Sequence, residues 1–276
     1  MVLVNSTKNK AIGEALDITN AIPEDSSISV TGTDDFELIR DSKVVVITAS
    51  KGKITTTRTD LLTVNVPLAK EIAQKIRKYS DDAKIVIITN PLDVITYVVL
   101  KETGFPRESM IGMGSSLDSG RFRYLLAKSL DVNMSKIEAT VIGEHGDSMV
   151  PIFSTAKCDE RSVLSLLDQN ETARITEELR NYWKLLKTFK EASVFGAAKN
   201  AFDIVKAIVR DEKLKVPASV LLEDEYGLSD VCLGVPVTID KTGVVKINRI
   251  DLERSELKLL NDSAEVIKNN IIKIKN

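Results

Sequence analysis

The chain contains one histidine, His145, set between two glycines in the run Gly143-Glu144-His145-Gly146-Asp147-Ser148. Imidazole titrates nearest neutral pH of all side chains, so histidine acid/base chemistry in these 276 residues has a single address. The flanking glycines let the backbone approach a neighbour closely. Four further groups stand where elements begin or end. Asp118 and Arg121 lie in Asp118-Ser119-Gly120-Arg121-Phe122-Arg123, Arg58 follows a polar loop from Lys51 to Thr57, and Asn90 precedes Pro91. Each has an ordinary reading when taken alone: Asp118 and Asn90 as helix caps, Arg121 as a surface charge, the loop as solvated. Together they offer an imidazole, a carboxylate to orient it, and two guanidiniums shaped for a planar carboxylate. That set suits redox chemistry on a 2-hydroxy or 2-keto acid. His145 would take the hydroxyl proton as hydride leaves, and Asp118 would stabilise the imidazolium.

Hydrophobic periodicity supplies the framework for these groups. Val2–Val4 reads as a short buried strand, followed by a helix over Ala11–Thr19 and a strand over Ile28–Thr31. The β-branched run Val44–Thr48 has the pattern of a parallel strand covered on both faces. Thr57-Arg58-Thr59-Asp60 fits a capping box and opens a helix to about Lys78. A strand over Lys84–Thr89, a helix over Leu92–Glu102 and a strand over Met110–Met113 continue the alternation. Such βαβ order implies a doubly wound parallel sheet with ligands beyond the carboxyl ends of its strands. After about residue 114 the rhythm changes. A helix over Asp118–Leu130 and a strand over Ile137–Ile142 precede two long helices, Thr172–Phe189 and Ser193–Val209. Short segments at 218–222, 231–233, 235–239 and 244–247 suggest antiparallel strands, and a helix over Leu252–Lys273 ends the chain. The expected division is a dinucleotide-binding domain over 1–114 and an α+β substrate and catalytic domain over 115–276.

Composition narrows the partners. A net charge of −2 gives no electrostatic case for nucleic acid or an anionic membrane. Apolar runs are strand-sized, so no membrane span is expected, and the N-terminus lacks signal-peptide architecture. Cys158 and Cys232 lack paired spacing, which argues against a disulfide or metal site and for a reducing cytoplasm.

The segments ITNPLDVITYV, GMGSSLDSGRFRYLLAKSLDV, IGEHGDSMVP and DVCLGVPVTI, with RTDLLTVN and SAEVIKNNI, resemble those of the lactate and malate dehydrogenase family. The likeness is collinear from about Val2 to the C-terminus. It implies an oxidoreductase that exchanges hydride between a nicotinamide cofactor and a small 2-hydroxy acid, with NAD as the cofactor and a homodimer or homotetramer as the assembly. By position it implies His145 as the acid/base, Asp118 as its carboxylate partner and Arg121 as the fork on the substrate's C1 carboxylate. Arg58 matches the loop arginine that polarises the reacting carbonyl. Asn90 matches an asparagine near both substrate and nicotinamide ribose. Asn65, which closes RTDLLTVN, and Ser193 count with the cofactor-binding residues.

Three departures qualify the resemblance. None of the 13 glycines forms the Gly-x-Gly-x-x-Gly turn that holds a dinucleotide pyrophosphate. The chain therefore reads as starting at the family's second strand, an incomplete Rossmann-type sheet without its first, central strand. On that reading its exposed strand edges should leave the chain poorly stable or inactive alone, and a non-catalytic remnant is the competing class. Asn5 ends the first strand where NAD-specific members carry an acid on the adenosine ribose. An amide does not repel a 2′-phosphate, which makes NADP the second cofactor. Finally, Thr55-Thr56-Thr57 replaces the family's Pro, Gly and Met ahead of the loop arginine, in a loop one residue short. Lys53, with Gly52 the alternative under a gapless count, is the nearest match to the position where malate enzymes place an arginine for the second carboxylate. Lysine supplies charge without a fork and so supports a dicarboxylate only weakly. The LDSGRFR and GEHGDSMVP segments, however, look most like those of prokaryotic lactate-dehydrogenase-like malate dehydrogenases, a resemblance that implies malate/oxaloacetate ahead of lactate/pyruvate.

Overall fold

The computed structural model describes every residue except 52–57, 191 and 276, and only the backbone of 58, 59 and 275. Its centre is a six-stranded mixed sheet in the order β11-β10-β9-β5-β4-β3. Three strands are parallel: β3 (Val44–Ile47), β4 (Lys84–Ile87) and β5 (Met110–Gly112). The connections between them are α2 (Arg58–Tyr79) and α3 (Leu92–Thr103). Isoleucine and valine dominate these strands because β-branched side chains suit a pleated surface buried on both faces. Ile85, Val86 and Ile87 of β4 are fully buried. In α3 every residue from Leu92 to Leu100 is buried, since the helix lies between the sheet, α2 and the terminal helix α7 (Arg254–Lys275). A helix apolar all round can be stable only in such a place. Each large aliphatic side chain removed from water contributes roughly 1.5–3 kcal/mol.

The antiparallel strands β9 (Leu214–Glu223), β10 (Ser229–Asp240) and β11 (Gly243–Ile247) extend this same sheet rather than forming a separate one. They join through the pair Gly112–Ser219. The expected segments 231–233 and 235–239 are one strand, because Gly234 pairs with Ser219 without interrupting the ladder. A three-stranded antiparallel sheet holds β6 (Ile137–Ile142), β7 (Val150–Cys158) and β8 (Arg161–Ser162). Sequence reading finds β6 but misses β7, whose Val-Pro-Ile-Phe start follows the histidine turn directly. Against this sheet lie α4 (Gly114–Leu130) and, packed on α4, α5 (Gln169–Phe189), whose start is a complete capping box between Asp168 and Glu171. The next helix is α6 (Phe195–Arg210).

Three expectations need correction in the N-terminal part of the chain. β1 (Val2–Val4) and β2 (Thr31–Thr33) form their own two-stranded parallel sheet, with α1 (Lys8–Asn20) between them in sequence. β1 is half-buried, not buried, because among the described residues β2 is its only strand partner. β2 starts at Thr31, where its N–H donates to the Met1 carbonyl, three residues later than the apolar pattern suggests. Among the described residues β3 pairs only with β4, so it is an edge strand of the main sheet. Val46 is 41% exposed, and Val44 and Val45 are half-buried, where cover on both faces was expected.

Among the described residues no helix is long and apolar enough to cross a membrane, and no cluster of three or more metal-ligating side chains occurs. Both cysteines are buried free thiols.

Candidate active site

Three chain segments bring the chemically active residues together: the first turns of α4, the turn from β6 to β7, and the junction of β4 with α3. Helix α4 begins at Gly114, a turn earlier than Asp118. Asp118 is therefore inside the helix, not its cap, and the i,i+3 spacing places Arg121 beside it. The Asp118 side chain is completely buried. Its Oδ2 lies 2.6 Å from His145 Nδ1, and its Oδ1 accepts from an Arg121 guanidinium N–H at 3.2 Å. Arg121 retains only 10% of its side-chain exposure, and its guanidinium carbon lies 5.2 Å from the Tyr182 ring centre. The result is a chain of three groups, guanidinium to carboxylate to imidazole. With Nδ1 engaged by Asp118, His145 Nε2 has no protein partner among the described residues and is the nitrogen available to a ligand.

The backbone around His145 is fixed at several points. Gly143 has a φ of +87° and pairs with Gly234 of β10. The Glu144 N–H donates to Ser263 Oγ of α7 at 2.7 Å. The Glu144 carboxylate in turn accepts from the Ser148 N–H at 3.2 Å and from its hydroxyl at 2.5 Å. The His145 N–H donates to Asp93 Oδ2 of α3 at 2.8 Å. Gly114 lies directly under the ring, where a Cβ would come within 2.5 Å of His145 Cβ and Cγ. Only a glycine at the start of α4 lets the imidazole sit this close to the helix that carries its carboxylate partner.

Electrostatics favour a protonated imidazole. Burial lowers the His145 pKa, but the charge of Asp118 and its hydrogen bond raise it. Asp93 adds to that effect and Arg121 opposes it, with a net upward shift from the usual imidazole value. A proton donor held charged near neutral pH is what reduction of a carbonyl requires.

The other expected residues occupy varied places. Asn90 is exposed at the carboxyl end of β4, where sequence-level topology puts ligands. Pro91, not Asn90, is the cap of α3, so the Asn90 amide has no capping duty, and it makes no hydrogen bond among the described residues. Asn65 is fully buried in α2. Its Nδ2 donates to the Asn90 carbonyl at 2.8 Å and its Oδ1 accepts from the Lys51 N–H at 2.9 Å. It thus ties Lys51 to the Asn90 junction, a bracing position rather than an open one. Asn5 is exposed at the end of β1, with Oδ1 accepting from the Thr7 N–H. Ser193 precedes the cap of α6, which is Val194, and its hydroxyl lies near Gly196, which also faces Leu117 of α4. Arg58 opens α2, and its side chain, like all of Lys53, lies outside the described residues. Sequence reasoning missed Asp93, Glu144, Ser263 and Gly114. Asp93 alone left a trace, a carboxylate in the otherwise apolar run Leu92–Leu100, but a first-turn acid favouring the helix dipole explains that trace equally well.

Comparison with known proteins decides the family. Residues 1–112 match the model of the lactate/malate dehydrogenase NAD binding domain, and residues 115–276 match that of the α/β C-terminal domain. The chain belongs to the lactate/malate dehydrogenase family. A malate dehydrogenase from Staphylococcus saprophyticus is 35% identical over 97% of this chain and 89% of its own length. An L-lactate dehydrogenase from Bacillus cereus is 34% identical over 97% of this chain and 87% of its own. The crystal structure of a Cryptosporidium parvum lactate dehydrogenase, complexed with lactic acid and nicotinamide adenine dinucleotide, superposes with a TM-score of 0.95 at 34% identity. That superposition covers all of this chain and 90% of the other. Membership accounts for the collinear order of the site residues in a mixed α/β fold with parallel and antiparallel strands.

Proposed function

We propose that this dehydrogenase is NAD-dependent and interconverts malate and oxaloacetate, with lactate/pyruvate as the weaker pair. The observation that carries this reading is the contact series Arg121–Asp118–His145. In the reductive direction the protonated His145 gives its Nε2 proton to the carbonyl oxygen of the keto acid. Asp118, on Nδ1, holds the ring in the orientation and tautomer for that transfer and stabilises the imidazolium in the reverse direction. Arg121 holds the C1 carboxylate, Arg58 polarises the carbonyl from the start of α2, and Lys53 receives the second carboxylate. When bound, the nicotinamide supplies or accepts the hydride. The residues present fit its ribose ends. Asn90 offers an exposed amide, unengaged among the described residues, at the carboxyl end of β4, Ser193 stands beside α4, and the exposed Asn5 ends β1. Because Asn5 carries no charge, NADP is the second cofactor. Steady-state rates test the whole reading. Oxaloacetate with NADH should give the highest kcat/KM, pyruvate a lower one, and NADPH should substitute for NADH at reduced efficiency. A higher kcat/KM with pyruvate would reject the malate assignment.

We also read the protein as a cytoplasmic homodimer or homotetramer. The exposed side chains Phe195, Phe202 and Val209 recur every seven residues along α6 and form one apolar stripe. Sedimentation velocity at micromolar protein should show a dimer or tetramer, and a monomer would reject this assembly.

A further inference from the structure

Asp93 is a carboxyl group in a place that ordinarily excludes one. It is 2% exposed, in the first turn of α3, a helix that packs against β9 and β10. Oδ2 accepts the His145 main-chain N–H at 2.8 Å, while Oδ1 has no hydrogen-bond partner among the described residues. The Ser219 hydroxyl is near enough to favour the charged form but closes no bond of normal length and angle. A buried carboxylate with an unsatisfied oxygen destabilises a fold, and an amide or apolar residue would suit the packing better. A group kept at such a cost needs a function that its shape alone does not supply. Asp93 stands three residues after Asn90 and touches the histidine turn, so it links two walls of the site.

We propose that Asp93 is a positioning residue for His145, its carboxylate fixing the main chain of the histidine turn and placing a second negative charge behind the imidazole. Asp118 then holds the ring at Nδ1 from α4, and Asp93 holds the backbone from α3. The charged groups around the imidazole are Asp118 and Arg121 on α4, Asp93 on α3 and Glu144 on the turn itself. Asp93 in turn faces His145, Glu144, Ser219 of β9 and Cys232 of β10. Burial pushes the Asp93 carboxyl up to about 6, and the hydrogen bonds and charge of its neighbours limit the rise. Above that pH it is ionised and strengthens the hold of His145 on its proton. The proposal rests on the dehydrogenase reading of the site.

Asp93→Asn separates charge from shape, because the amide oxygen can still accept the His145 N–H. His145 is the only histidine, so one imidazole NMR signal reports its titration without cofactor or turnover. In Asp93→Asn the His145 pKa should fall by about one unit, with thermal melting unimpaired. The pH at which oxaloacetate reduction declines should fall with it. An unchanged imidazole pKa in the folded variant overturns the proposal, whatever happens to activity. The reciprocal experiment covers the case in which the asparagine disturbs the turn. In His145→Gln the Asp93 carboxyl, followed by ¹³C NMR, should titrate at higher pH than in the parent, since the coupling acts equally on both groups. An unmoved Asp93 titration there overturns the proposal as well. If the chain lacks dehydrogenase activity, both titrations still distinguish that failure from failure of the positioning role.

Discussion

Replacing His145 by glutamine should cripple oxaloacetate reduction, with kcat falling about 10²–10⁴-fold while NADH binding is retained. Glutamine preserves much of the volume and a hydrogen-bonding side chain, so the loss isolates proton transfer. No second imidazole exists to substitute for it. The Asp118 carboxylate would remain buried beside the change, 2.6 Å from where the ring nitrogen was, and would repel the negative charge that develops on the carbonyl oxygen. Steady-state kinetics with a parallel NADH fluorescence titration measure both quantities. Survival of more than a tenth of the parent kcat would remove His145 from the mechanism. The direction of the pH dependence also follows. Because Asp118 and Asp93 outweigh burial and raise the imidazole pKa, the proton needed for reduction persists into the neutral range and is lost as pH rises through the shifted value. Oxidation of the hydroxy acid needs neutral His145 and gains over that interval.

Arg121→Gln should reduce kcat/KM for oxaloacetate by about 10²–10³-fold, because truncating a nearly buried charge removes about 3–4 kcal/mol of recognition. Two functions disappear with the guanidinium. The substrate carboxylate loses its bidentate partner, and Asp118 loses the cation that shares its Oδ1 at 3.2 Å. The two can be told apart. Loss of substrate recognition raises KM, whereas an Asp118 relieved of Arg121 binds the imidazolium more tightly and raises the His145 pKa, since Arg121 opposes protonation there. Full-scale kinetics against oxaloacetate concentration at several pH values give both readings. Unaltered kcat/KM would place the substrate carboxylate elsewhere.

Legibility in the sequence follows the range of the force involved. Parallel strands such as Lys84–Ile87 and helices such as α3 are legible because burial on both sides imposes continuous apolar runs that local pattern reveals. The candidate catalytic set is legible through residue type, since the chain holds one histidine and its collinear neighbours match a family. What could not be read depends on contacts remote in sequence. Edge strand β3 has the composition of a covered strand, and only the sheet order shows that it has one neighbour. Strand β7 is hidden because Val150-Pro151 follows a turn whose glycines suggest loop. Asp93 and Ser263 reach the histidine turn across 52 and 119 residues, measured from His145 and Glu144, and no periodicity encodes such pairs. Gly114 gives no local signal either, because its purpose is to make room for a ring 31 positions away.

The most direct test of the central claim compares two titrations of one protein. The pH dependence of kcat/KM for oxaloacetate, measured with saturating NADH, should decline with an apparent pKa above the ordinary imidazole value. The single imidazole NMR signal of the NADH-bound chain should titrate at the same pH. Coincidence of the two identifies His145, held by Asp118, as the acid that completes keto-acid reduction. A kinetic pKa that does not track the imidazole, or an absence of oxaloacetate reduction in a chain that binds NADH, would contradict it.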